Sequence, residues 1–240
     1  MKKYIFAFLL IIGSTSGYGQ KKYLKYSLLD GTGVGVMMLN DTISYWQEFY
    51  DEGSSKGGMT VISGNSPIFV VKEIKKNFIY FSQKLGKKEF IVTDSLHPMK
   101  WILGKEKKQI LGFECSSAVT TFRGRTYTAY YTTQIPISNG PWKFGGLPGL
   151  ILEVITDDKM FNLYIMEVSD KEIRKLSNIS FQKDASITWA DFTKEYIKHA
   201  EAVIARIKAR LKPGEFGQLY WGSKEIIYPP IQTGTGIRIE

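Results

Sequence analysis

Glu153 is the residue whose type and position most invite a chemical role. It stands in the run Leu150-Ile-Leu-Glu-Val-Ile-Thr156, which is apolar on both sides. A buried carboxylate must find a partner or change its ionisation, as catalytic acids do. The plainer expectation is a facing basic side chain, or a place where the strand meets a sheet edge. Catalysis would need Glu153 beside a histidine and a hydroxyl nucleophile in one cleft. His97 precedes Pro98, and His199 lies one residue off the apolar stripe of a helix. Neither has another His or Cys at ligand spacing, so no metal site is expected. Asp157-Asp158 lacks further oxygen ligands at fixed spacing and reads as a turn. Gly31-Thr-Gly-Val-Gly-Val36 has neither the following helix nor the lysine of a phosphate loop, and no Gly-x-Ser-x-Gly elbow occurs. No cofactor is expected.

A second kind of chemistry is recognition. The segment Asn139-Gly-Pro-Trp-Lys-Phe-Gly-Gly-Leu-Pro-Gly-Leu-Ile-Leu152 sets glycines and prolines around two aromatics and runs into an apolar strand. Leu147-Pro148-Gly149-Leu150 fits a type II turn, with Pro148 presetting φ and Gly149 supplying a positive one. Gly145 and Gly146 permit close backbone approach. Trp142 and Phe144, held in that frame, either plug the end of the core or line a ligand cleft or partner surface. The candidate ligand- or partner-binding residues are Trp142, Phe144, Leu147, Pro148, Gly149, Leu150 and Glu153.

Positioning these residues requires a sheet. Short apolar and β-branched runs alternate with turn residues, as in an antiparallel meander. Strands are expected over 23–29, 34–39, 42–50, 68–74, 78–83, 89–93, 100–103, 109–122, 127–135, 150–156 and 161–168, with an exposed loop over Gly53–Gly58. A three-residue turn at Arg123-Gly124-Arg125 would place Phe113, Cys115, Val119, Tyr127, Tyr131 and Ile135 on one apolar face. Cys115, the only cysteine, would then be a small core residue, not a nucleophile. A turn at Asp157-Asp158-Lys159 would pair Leu150, Leu152 and Val154 with Tyr164 and Met166. Ile151 and Ile155 would join Phe161, Leu163 and Ile165, and both faces would need cover. Apolar residues at helical spacing from Trp189 to Leu211, with Thr188 as N-cap and Pro213-Gly214 beyond, predict one long amphipathic helix.

Lys2 and Lys3, the apolar run Ile5–Ile12 and Gly17-Tyr18-Gly19 form the pattern of a cleaved signal peptide over residues 1–19. The run is too short to span a bilayer, which takes about 20 residues. No cysteine follows for lipid attachment, so a periplasmic or secreted chain is expected, with one domain over 20–240 and no transmembrane segment. Losing Lys2 and Lys3 lowers the net charge of +9 by two. The remaining lysines form small clusters between strand-like runs, which suits hairpin ends and edge protection, and nucleic acid is not an expected partner. The fold class is mainly β (α+β): a curved antiparallel sheet or half-barrel with one long C-terminal amphipathic helix.

Gly146-Leu-Pro-Gly-Leu-Ile151 resembles the signature of the GLPGLI family of secreted Bacteroidetes proteins. The likeness extends from Trp101 through Ile110–Cys115, Phe122-Arg-Gly-Arg125 and Thr128–Ile137 to Leu152, about a quarter of the chain. Family members often carry tryptophan where this chain has Tyr130 or Tyr131. The resemblance implies export into a bacterial envelope and supplies no catalytic residues. The strand order is also similar, as topology alone, to periplasmic lipoprotein-carrier half-barrels. The expected function is non-enzymatic binding of an apolar or amphipathic small molecule or lipid in the sheet's concavity. The alternative is a structural or adaptor protein that docks on another envelope protein through the Trp142–Leu150 loop.

Overall fold

The computed structural model describes residues 21–28, 31–50, 55–56, 59–60, 68–96, 99–159, 161–177, 181–221 and 224–240. The expected signal peptide, His97 and most of the Gly53–Gly58 loop lie outside them. Strands β1 (Lys22–Leu28), β2 (Gly33–Leu39) and β3 (Ile43–Tyr50) open a meander. After a two-stranded ribbon of β4 (Ser55–Lys56) and β5 (Met59–Thr60), it continues through β6 (Ile68–Glu73), β7 (Phe78–Leu85) and β8 (Lys88–Ser95). A second meander comprises β9 (Ile102–Ile110), β10 (Phe113–Phe122), β11 (Arg125–Thr132), β12 (Leu150–Thr156) and β13 (Asn162–Ser169). Strand β14 (Ile187–Thr188) leads into helix α1 (Trp189–Lys208), followed by β15 (Gly217–Leu219), α2 (Pro229–Gln232) and β16 (Ile237–Ile239).

The two meanders join where β1 pairs antiparallel with β13, giving one twelve-stranded sheet in the order β14-β8-β7-β6-β3-β2-β1-β13-β12-β11-β10-β9. This is the expected mainly β architecture with a single long helix. Its inner face is apolar at alternate positions, among them Leu24, Tyr26, Trp46, Val70, Phe81, Val92, Tyr127 and Val154, all buried. Gly35 is required on that face, because a Cβ there would fall 1.9 Å from the Trp46 ring. The indole instead lies edge-on to Tyr26, with centroids 5.6 Å apart.

Both analysed hairpins depart from expectation by one residue. Phe122 pairs with Arg125, not Thr126, across a two-residue turn in which Arg123 and Gly124 both have positive φ (46° and 79°). That is the type I′ geometry matched to strand twist. The slip puts Tyr127 opposite Thr120, and moves Cys115 and Val119 away from Tyr127 and Tyr131 to the outer face. In the second hairpin Thr156 faces Phe161, and Val154 pairs with Leu163 and Glu153 with Tyr164. Leu163 therefore shares a face with Val154, and Tyr164 with Glu153.

Further corrections concern β9, β13 and the helix. Strand β9 runs unbroken through Lys105, Lys107 and Lys108, and its hairpin end is Leu111-Gly112 (φ 49° and 82°). Strand β12 is buried along almost its whole length, but Met166 on β13 is 49% exposed, so water reaches that ribbon's far end. Helix α1 covers neither side of β12–β13. It packs along β7 and β8, with Trp189 on Phe81 and Phe192 on Phe90 at centroid distances of 6.0 and 5.7 Å. Thr188 caps it, accepting from the Asp191 amide at 3.1 Å.

Candidate functional site

Helix α1 covers the β7–β8 part of the inner face, and a loop and a strap cover the rest of the site. The segment from Asn139 to Gly149 folds into the concavity, and the strap from Lys224 to Gln232 crosses beside it. Trp142 and Phe144 are 3% and 0% exposed. With Tyr127 and Phe161 they form an aromatic cluster: Trp142–Phe144 5.3 Å, Trp142–Phe161 5.2 Å and Tyr127–Phe144 5.1 Å between centroids. Pairs of this geometry add about 0.5–1.5 kcal/mol each beyond the burial of their area. Leu147, Gly149 and Leu150 are buried as well, and only Gly146 and Pro148 reach the surface.

The glycines of this loop have roles opposite to those expected. Gly146 has the positive φ, 86°. Gly149 is the position of close approach, since a Cβ there would meet the Thr132 carbonyl oxygen at 2.0 Å. The expected type II turn at Pro148-Gly149 is therefore absent. Trp142 itself has φ 50°, a left-handed conformation that costs a non-glycine residue about 1–2 kcal/mol.

One lysine pins the loop. Lys72 of β6 is buried, and its ammonium donates to Asn139 Oδ1 (2.9 Å), the Gly140 carbonyl (2.8 Å) and the Phe144 carbonyl (2.5 Å). Its three donors are matched by three acceptors, none of them charged. Burial pushes this group down to about 7. Trp101 Nε1 adds a bond to the Gly145 carbonyl at 2.8 Å. Nothing local in the sequence marks Lys72, because its partners lie 67 to 72 residues away.

The strap is held by ions. Glu225 Oε1 accepts from Arg123 Nη1 at 2.5 Å, and Oε2 from Lys143 Nζ at 2.6 Å. Arg123 also pairs with Asp94 and lies 3.4 Å from the Trp189 ring centroid. Lys143 lies 3.5 Å over Phe81. Burial lowers Lys143 to about 8 against the opposing pull of Glu225. Tyr127 donates to the Lys224 carbonyl at 2.6 Å, and Lys224 pairs with Glu48. Glu48 also accepts from Trp46 Nε1 (3.0 Å) and the Tyr50 hydroxyl (2.6 Å). Sequence reasoning missed Lys72, Arg123, Lys143 and Glu225.

Glu153 does not join this assembly. A bulge at Leu152 sets Ile151 opposite Tyr131 and Glu153 opposite Tyr130, so Glu153 points to the outer face. There it pairs with Lys108 at 2.5 Å, and Lys108 sits 3.7 Å over the Tyr130 ring. Cys115 is buried on the same side, and burial pushes its thiol up to about 11. Such a thiol stays protonated and unreactive. His199 is stacked on Trp221, 5.9 Å between centroids, and does not approach Glu153. Among the described residues no group of three or more His, Cys, Asp or Glu could hold a metal ion. No helix among them is long and apolar enough to cross a membrane.

No curated protein matches the chain. Residues 122–153, from the β10–β11 turn through the buried loop to Glu153, match the family described as Protein of unknown function (Porph_ging). Two crystal forms of PNGF-II are similar in structure. The P21 form has a TM-score of 0.53 and 17% identity over 75% of this chain and 34% of that one. The C2 form has a TM-score of 0.51 and 16% identity over 75% and 33%. The chain thus spans about a third of PNGF-II, and the likeness is one of fold.

Proposed function

We propose that this chain is an exported, non-enzymatic binding protein of the cell envelope that acts as an adaptor, docking another envelope protein at the rim formed by the loop and the strap. The observation that carries this reading is the burial of Trp142 and Phe144: the space an apolar ligand would occupy is taken by the chain's own aromatics. The docking surface is then not the aromatic tips but the rim around Gly146 and Pro148. Export rests on the composition of residues 1–19 and predicts a mature N-terminus at Gln20, readable by intact mass of the secreted protein. A photo-crosslinking residue at Pro148, introduced in the native host, should yield one discrete adduct of defined mass. Adducts no more frequent than at an unrelated exposed site such as Lys105 would end the adaptor reading.

A second reading is favoured by the kind of cover. Loop and strap, unlike a second sheet, can leave an apolar concavity without dismantling strand pairing. Here an apolar or amphipathic molecule replaces the aromatics. Gentle purification, solvent extraction and mass spectrometry should then recover a lipid in stoichiometric amount, and its absence removes this reading.

A further inference from the structure

We propose that Arg123 and Lys143 form a carboxylate-binding site, and that Glu225 is its intramolecular occupant, standing where an acidic segment of a partner protein binds. The inference rests on the adaptor reading and names the chemistry of its partner.

Each oxygen of the Glu225 carboxylate has its own cation, Arg123 at 2.5 Å and Lys143 at 2.6 Å. Such paired charge-assisted bonds define an orientation as well as an attraction. Both cations are also supported by groups outside the strap. Arg123 is braced by Asp94 and the Trp189 face, and Lys143 by the Phe81 face at 3.5 Å. The site is therefore largely built before Glu225 enters. Withdrawal of Glu225 would leave buried Lys143 and half-buried Arg123 against one carboxylate, Asp94, a demand for another anion. The occupant comes from irregular chain, Lys224 to Tyr228, and not from a strand of the main sheet. It meets that sheet's turn through the Ile226 amide, which donates to the Arg123 carbonyl at 2.9 Å. A partner segment that supplied one carboxylate and one amide would reproduce these contacts.

The experiment uses the full chain carrying Glu225→Ala, with Glu225→Gln in parallel as the gentler change. The probes are acetate against chloride at equal ionic strength, and a synthetic peptide of residues 224–240. Acetate should raise the melting temperature of Glu225→Ala but not of the wild type, and Arg123→Ala added to it should abolish the gain. The peptide should bind Glu225→Ala about tenfold more tightly than the same peptide with Gln at position 225. Acetate no better than chloride, equal binding of the two peptides, or failure of both variants to fold even in acetate would overturn the proposal. A Pro148 adduct without acetate rescue leaves the adaptor reading and removes the carboxylate site. Rescue without an adduct keeps the site and removes the partner.

Discussion

The loop and the strap cover the same apolar face, yet opposite chemistry fastens them. The loop is pinned by one ammonium shared among three uncharged oxygens, with aromatics packed around it. The strap is pinned by one carboxylate between two cations. In the first case the charge belongs to the sheet, and the loop offers Lys72 only carbonyl and amide dipoles. In the second the strap itself brings a carboxylate, and one of the cations that meet it, Lys143, comes from the loop. The loop therefore depends on shape and on burial, whereas the strap depends on a group that another carboxylate could imitate.

The largest effect should fall on the loop's packing. Phe144→Ala is expected to cost about 3–5 kcal/mol, the usual range for emptying a buried aromatic site. Urea unfolding measures it, and a cost below that of an exposed substitution would mean the loop is not part of the core. Glu225→Ala should come next, at about 3 kcal/mol, because it leaves the buried Lys143 and the half-buried Arg123 short of a partner. Lys72→Met should cost less, about 1–3 kcal/mol, since three acceptors lose their donor while a buried charge is also removed. If Lys72→Met proved costlier than Glu225→Ala, the contrast between the two fastenings would fail.

The pH dependence sharpens the same contrast. Lys72 falls to about 7 in the fold, against 10.5 for a free lysine. Between those values the unfolded chain binds the proton that the folded chain has released, so stability should rise with pH across that window. Lys143, at about 8, adds a rise of the same sign. Burial raises Tyr26, Tyr50 and Tyr127 above the ordinary tyrosine value. The unfolded chain therefore loses those protons first above about pH 10, and stability should fall again there. Unfolding midpoints from pH 6.5 to 9.5 should climb in the wild type and climb less in Lys72→Met. Parallel curves would show that Lys72 does not titrate in this range. The smallest effect belongs to the exposed Lys107–Glu114 pair, where Lys107→Ala should leave the midpoint unchanged.

Much of the sheet was legible from local pattern. Strand β12 has its expected bounds, and Thr188 caps α1 where the helix signature placed it. Register was not legible, because it turns on single residues of turn geometry. Arg123 adopts a positive φ that its type does not advertise, and one shorter turn moved Cys115 to the outer face. The Leu152 bulge did the same for Glu153 relative to Ile151. Of the candidate site, the burial of Trp142 and Phe144 suited their expected role as a plug, while the pins that hold them came from distant strands.

By itself the chain's order of residues determined an alternating, mainly antiparallel sheet, one amphipathic helix and a stiff aromatic loop, since period, caps and turn residues act over a few positions. Only the tertiary structure decided that the loop turns inward onto Lys72 and that Glu225 lies between Arg123 and Lys143. Those contacts join residues 67 to 102 positions apart, and no local preference encodes a meeting at that range.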